Sequence, residues 1–192
     1  MKKTLTITAR IIIFLIGFIF SVYYFADWGI LGKFALSVSH SRLERTGLRV
    51  EYSDVTGEED GFTVHNLRLN GAANISFMSV TIRPRIIPSI LSMSAVCDIT
   101  FKECNMRLGQ TMNFGDGRVL LTVGRNEILS ENLSTNGEFS LNGYISIDTE
   151  NMKILRADTR IDVPESFLGN MGMLQNFLPL IQEGDRWYIR RK

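Results

Sequence analysis

Phe139-Ser140-Leu141-Asn142-Gly143-Tyr144-Ile145-Ser146-Ile147 sets an apolar or small residue at every second position. A period of two marks a strand with one face on a core and one toward water. The same alternation continues toward the N-terminus. Val119, Leu121 and Val123 show it, as do Cys104, Met106 and Leu108, and then Cys97, Ile99 and Phe101. Toward the C-terminus a strand is expected over about 154–163. Trp187 and Ile189 form a short last strand ahead of a basic tail, Arg190-Arg191-Lys192.

Nearer the N-terminus the alternation slips. Leu48, Val50 and Tyr52 keep one parity, but Phe62 and Val64 give way to Leu67 and Leu69. A bulge near His65-Asn66 explains that slip. Ala73, Ile75 and Phe77 pass to Val80 and Ile82 in the same manner. Turns are expected at Gly57-Glu58-Glu59-Asp60-Gly61, Asn70-Gly71, residues 102–103 and Gly115-Asp116-Gly117. Pro84 and Pro88 interrupt the sheet around an apolar connection with one short helical turn. The segment ending Leu69-Asn70-Gly71 is similar to the one ending Leu141-Asn142-Gly143, as a repeat of strand units would be. There is no βαβ alternation, which argues against a nucleotide-binding parallel sheet.

Two helices are expected in the domain. Residues 28–47 read as a linking helix, with Ile30, Leu31, Phe34, Ala35, Val38 and Leu43 roughly on one face and Gly47 as the stop. Pro164 opens an amphipathic helix with Phe167, Leu168, Met171, Leu174, Phe177 or Leu178, and Ile181 as its stripe, closed by Gly184. This helix is expected to pack on the sheet. The expected fold is therefore mainly β: a single N-terminal transmembrane helix, then a curved antiparallel β-sheet domain with one amphipathic helix packed on it.

The transmembrane expectation rests on residues 11–26. Lys2, Lys3 and Arg10 precede the apolar block, Asp27 ends it, and Tyr23, Tyr24 and Trp28 stand where an interfacial belt belongs. A cleaved signal peptide is the competing reading, but no small-residue cleavage site follows the block. The expected layout is a cytoplasmic tip and anchor over 1–27, a linking helix over 28–47 and a periplasmic β-rich domain over 48–192. That corresponds to a single-pass protein of a bacterial inner membrane with a cytoplasmic N-terminus.

Of the 192 residues, Lys and Arg number 21 and Asp and Glu 20, so the net charge is +1. Such balance argues against a nucleic-acid partner. No phosphate loop, nucleophile elbow, cofactor motif or metal-ligand spacing is present, and His40 and His65 stand alone. The acidic run Glu58-Glu59-Asp60 reads as a solvated turn more readily than as a cation site. With a tight turn at 102–103, Cys104 faces Phe101, so a disulfide between Cys97 and Cys104 needs another register; two buried thiols are the simpler reading. Phe139, Leu141, Ile145, Ile147, Phe167, Met171 and Leu174 are the candidates for an apolar groove or core.

The order of elements adds a resemblance. A short anchor leads into Leu-Arg-Val-Glu-Tyr-Ser-Asp-Val-Thr-Gly (48–57), then Gly-Phe-Thr-Val-His-Asn-Leu-Arg-Leu-Asn-Gly (61–71). Arg-Pro-Arg-Ile-Ile-Pro-Ser-Ile-Leu-Ser (83–92) follows, and later Leu-Asn-Gly-Tyr-Ile-Ser-Ile-Asp (141–148). Over residues 11–163 this layout resembles the type II secretion protein N family and, more loosely, AsmA-like envelope proteins with β-groove units. The resemblance implies an inner-membrane protein with a periplasmic β domain. It also implies a role in secretion, envelope assembly or lipid handling, without catalysis. The leading expectation is a non-enzymatic scaffold or binding module with an envelope protein partner. A phospholipid-binding groove comes second, and a hydrolase assembled from distant residues third.

Overall fold

Short turns between alternating segments force neighbours in sequence to pair antiparallel. The computed structural model describes residues 14, 17, 21, 26–45, 47–71, 73–151, 153–170, 175, 178–184 and 186–191. Its elements are α1 (Trp28–Arg45), β1 (Arg49–Glu51), β2 (Asp54–Gly57), β3 (Phe62–Asn70), β4 (Asn74–Pro84), α2 (Ile86–Ser92), β5 (Ala95–Leu108), β6 (Gln110–Val123), β7 (Glu127–Thr135), β8 (Ser140–Asp148) and β9 (Ile154–Asp162). A 3-10 helix (Glu165–Asn170), β10 (Leu180–Glu183) and β11 (Arg186–Arg191) complete the chain. Among the described residues the strands make one 11-stranded sheet, ordered β1-β3-β4-β5-β6-β7-β8-β9-β11-β10, with β2 also pairing β3. Paired strands are antiparallel throughout.

The long strands are broken in the middle, and the breaks lie side by side. Asn66 of β3 takes φ 52°, Glu103 of β5 φ 50° and Gly115 of β6 φ 65°. Asn66 lies between the pairs His65–Ser79 and Leu67–Phe77, so it faces Met78 of β4. The β4–β5 pairs Ser79–Lys102 and Ser76–Asn105 bracket the break on β5. The β5–β6 register then shifts between Phe101 and Cys104. Further along the sheet a second set follows, at register shifts between Arg118 and Leu120 and between Ser130 and Leu133, with Asn132 at φ 53° and Gly143 at φ 149°. A bulge bends its strand and increases the local twist. Aligned across neighbours, such breaks bend the sheet as a whole.

The bulge expected at His65-Asn66 is thus present, whereas two of the expected turns are not turns. Residues 102–103 lie inside β5, and Gly115-Asp116-Gly117 lies inside β6. The chain reverses instead at Gly109, φ 74°, between Leu108 and Gln110. Polar residues at a parity slip look alike whether the chain turns back or bulges and continues. What holds the bulge is a set of hydrogen bonds. Asp116 N donates to Asn136 Oδ1 (2.8 Å), Gly137 N to the Phe114 carbonyl (2.9 Å), and Glu103 N to Asp116 Oδ1 (3.0 Å). Nor do the two Leu-Asn-Gly segments play equivalent parts. Asn70 ends β3, but Asn142 and Gly143 lie within β8.

The helix expected after Pro164 is corrected at its C-terminal end. Only Glu165–Asn170, as a 3-10 helix, and Gln175 are described as helical, and Leu180–Glu183 is a strand paired with β11. Pro179 explains this end: it has no N–H to donate and pushes Leu178 out of helical geometry. Met171, Leu174 and Phe177 lie outside the described residues. Arg190, read from sequence as tail, is inside β11 and pairs with Asp158 (3.3 Å) and Glu183.

The linking helix is present as α1 and lies against the sheet, but not by the face that carries most of its large apolar residues. Trp28, Gly29 and Gly32 are buried against β2 and β3, while Ile30, Leu31, Phe34 and Val38 are exposed. Glycine permits this approach: a Cβ on Gly32 would meet the Phe62 ring at 2.6 Å. No described helix is long and apolar enough to cross a membrane. Of the expected anchor, residues 11–13, 15–16, 18–20 and 22–25 lie outside the described residues.

One test concerns the bulge at Gly115. A Cβ on Gly137 would lie 2.3 Å from the Phe114 carbonyl carbon and 2.4 Å from Gly115 N. Gly137→Ala should therefore lower the unfolding free energy of the full chain in mild detergent by about 2–4 kcal/mol. Gly124→Ala, whose Cβ would find its nearest neighbour at 3.4 Å, should cost less than about 1 kcal/mol.

Candidate functional site

The slipped alternation keeps apolar side chains on one face along the whole of each long strand. On β4, Ile75 and Phe77 precede the break and Val80 and Ile82 follow it; all four line one trough. On β5 the corresponding residues are Ile99 and Phe101, then Cys104 and Met106. On β6 they are Met112 and Phe114, then Val119 and Leu121. Strict alternation without the slip would turn one half of each set to the outer face. The trough also reaches Val50 of β1 and Ile189 of β11, near the two ends of the strand order. Its volume is about 640 Å³, within the usual range for small-molecule sites.

The lining is almost free of polar groups. Thr135 is its one hydroxyl among the described residues, and that hydroxyl is occupied. It donates to the Phe139 carbonyl (3.3 Å) and accepts from Leu141 N (2.9 Å). Among the described residues no carboxylate, imidazole or amine lines the trough. What remains is aliphatic and aromatic surface able to take alkyl chain out of water, at about 0.8 kcal/mol per methylene. Phe139 anchors one part of the floor, with Phe114 at 5.8 Å and Phe167 edge-on at 4.9 Å between centroids. Leu36 of α1 lines the trough beside β1 and β3.

The outer face differs in kind. Glu127 pairs with Arg156 (2.6 Å) and accepts from the Ser146 hydroxyl, while Arg160 pairs with Asp162 (2.5 Å). At the β2–β3 turn, Arg83 holds Glu58 (3.0 Å) and Asp60 (2.9 Å). The acidic run is therefore partly neutralised, and no group of side chains suited to a metal is found among the described residues.

Of the groove candidates read from sequence, Phe139 and Leu141 line the trough. Phe167 is buried against Phe139. Ile145 packs instead with Ala157, Ile161 and Ile189. Ile147 is half-buried between Ile128 and Ile154. Met171 and Leu174 lie outside the described residues. The walls supplied by β4, β5 and β6 were not among the candidates. Their signal was the parity slip repeated on consecutive strands.

The disulfide is excluded. Cys97 and Cys104 lie on one strand, β5, seven residues apart, or about 23 Å along an extended chain. A bridge needs Cα atoms within about 7 Å, and both thiols are free. Burial raises Cys97, with a smaller push from Asp98, and lifts Cys104 to about 12.

A family model described as type II secretion system protein GspN-like, Synergistales, matches residues 2–191. The chain belongs to this GspN-like family. No curated protein and no solved structure matches the chain. The match covers the N-terminal apolar block, α1 and the sheet together, so the resemblance read from the order of strands and turns is to the family the chain belongs to.

The buried thiol gives a pH test. Cys104 keeps its proton in the folded chain up to about 12, while the ordinary value is 9.0. Its contribution to stability is thus full below pH 9 and is lost as pH rises toward 12. Denaturation at a series of pH values should show a smaller alkaline loss in Cys104→Val than in the unaltered chain. A thiol reagent at pH 8 should also modify Cys104 about a hundredfold more slowly in the folded than in the unfolded chain.

Proposed function

We propose that this GspN-like protein is a non-enzymatic, membrane-anchored component of the envelope, and that its β domain holds the acyl part of a lipid in the trough. The carrying observation is the lining. Apolar side chains from both halves of β4, β5 and β6 meet in one cavity whose single hydroxyl is already bonded. A continuous apolar surface of this extent favours an apolar occupant. Family membership supports a place in type II secretion. The apolar block at residues 11–26 with its basic flank supports the anchor.

Two observations weigh against the other readings. Strand addition by a protein partner favours a long open edge, but the end strands β1 and β10 have only 3 and 4 residues. A hydrolase needs titratable groups poised at its cleft; among the described residues the trough offers the Cys104 thiol, which burial pushes up to about 12 and so keeps protonated.

The test uses the full chain in membranes, with a phospholipid carrying a photoreactive group on its acyl chain. Crosslinked peptides should map to β4–β6 as well as to residues 11–26. Val119→Asp places a charge in the trough and should cut the β4–β6 crosslinks about tenfold or more. Leu120→Asp, on the opposite face of the same strand, should leave them within about twofold. Crosslinks confined to residues 11–26 would defeat the lipid reading and return the trough to a structural core.

A further inference from the structure

The short helix α2 has no buried residue. Its apolar side chains instead face outward: Ile87 is 69% exposed, Ile90 54%, Leu91 80%, and Met93 at its C-cap 94%. Four large apolar groups at one protruding tip are costly in water unless something covers them. The helix lies on one rim of the trough, where several strand ends meet, and turn contacts trace that rim in both directions.

In one direction it leads to the start of α1. Gly61 packs on the backbone of Ile82 and Arg83, just before α2, and Glu58 N donates to the Gly61 carbonyl (2.8 Å). Gly57 in turn touches the backbone of Gly29. The start of α1, which follows the apolar block of residues 11–26 in sequence, therefore lies on the rim that carries α2. Ile30 and Phe34, beside that point on α1, are 66% and 67% exposed. In the other direction Ser94 lies against Gly124, and Thr149 N donates to the Asn126 carbonyl (3.2 Å). These turns bring exposed Arg125 and Lys153 to the rim beside exposed Glu150, while the arm toward α1 carries the exposed acids Asp27 and Glu59.

We infer that α2 is a second membrane contact: its tip inserts into the headgroup layer of an anionic phospholipid bilayer, with Arg125 and Lys153 on the lipid phosphates. An apolar tip with basic neighbours is the chemistry of an interfacial segment. Trp28, which follows the apolar block in sequence, begins α1 on this same rim, so the anchor proposed above would put the bilayer on the α2 side. This inference shares the anchored placement proposed above and is independent of what fills the trough.

The test uses the full chain with Cys97→Ser and Cys104→Val, so that one new thiol carries an environment-sensitive fluorophore. Leu91→Cys, and separately Met93→Cys, place it on the tip; Glu138→Cys places it at the turn before β8, on the opposite rim. Neither tip position lies in a core cluster, so folding is preserved. In vesicles of phosphatidylethanolamine with phosphatidylglycerol, both tip labels should shift to the blue and be quenched by spin-labelled lipid, while the label at 138 should report water. Arg125→Glu with Lys153→Glu should lower the inserted fraction at Leu91→Cys about fivefold in these vesicles and much less in zwitterionic ones. Tip labels as water-exposed as the one at 138 would overturn the inference. So would a shift that follows protein density and not lipid composition, which would assign the tip to a second copy of the chain. Acyl-chain crosslinking at β4–β6 reads the trough separately, so either proposal can fail alone.

Discussion

The line of mid-strand breaks through Asn66, Met78, Glu103 and Gly115 is the constraint on which the remaining structure depends. A strand of 14 residues, as β5 and β6 are, has a span of about 45 Å if straight. Packed flat, the 11-stranded sheet built around them would show a wide apolar face needing a second layer. Bending them along a common line lets the apolar face turn toward itself. Each break also displaces the alternation by one residue, so both halves of a strand offer their apolar side chains to the same concavity. Bend and slip are one event, which is why neighbouring strands must break at matching positions. Glu103 N on Asp116, and Asn136 with Gly137 on the bulge of β6, tie those positions together across strands that are distant in sequence.

The two faces then divide the energetics between them. The inner face gains from burial of aliphatic and aromatic surface, strongest where Met112, Phe114, Phe139 and Phe167 cluster. The outer face carries ion pairs such as Arg156 with Glu127 and Arg85 with Asp98, whose side chains are about one third to more than half exposed. Pairs of that kind contribute about 0–1 kcal/mol each. They keep the outer face soluble and hold little of the fold. Stability is thus concentrated in the same side chains that line the trough. The domain cannot be fully dry inside and also fully collapsed, because 640 Å³ remains open. An apolar occupant would add the contacts that the walls do not make with one another.

Most of the period-two segments were legible in the sequence as strands, because alternation depends only on which face is buried, whereas β7 and β10, which lack a clean alternation, were not read. The bulge at His65-Asn66 was legible for the same reason: apolar residues on either side change parity with no turn residues between them. At Lys102-Glu103 and Gly115-Asp116-Gly117 the same slip carries polar residues and glycine, and a local reading cannot separate a reversal from a bulge. Only pairing with the neighbouring strands decides it. The trough followed the same limit. Phe139 and Leu141 were found from the cleanest alternation, but Ile99, Phe101, Val119 and Leu121 belonged to segments read as separate short strands. The end of the helix expected after Pro164 was misread, because the apolar spacing through Ile181 was weighed above Pro179. On α1, burial follows the glycines at 29 and 32, which helical periodicity of large residues does not register.

The exposed tip of α2 is best understood against this economy of apolar surface. Elsewhere the fold goes to some length to turn its apolar residues inward, even by bending every long strand. Pro84 and Pro88 could have closed the β4–β5 connection as a polar turn of a few residues, yet between and beyond them stand Ile86, Ile87, Ile90, Leu91 and Met93. Only Ile86 packs on the core, against the cluster of Trp28, Val55, Phe62 and Val64. That one contact fixes the base of the helix and leaves the tip outside. With the tip in headgroups, the adjoining rim of the trough lies close to the acyl layer, and a lipid chain moving from bilayer to trough crosses little water. With the tip in water, the same chain would expose each methylene on the way, at about 0.8 kcal/mol apiece. Position of the tip and character of the trough are separate observations, but a short apolar path gives each a physical reason to accompany the other.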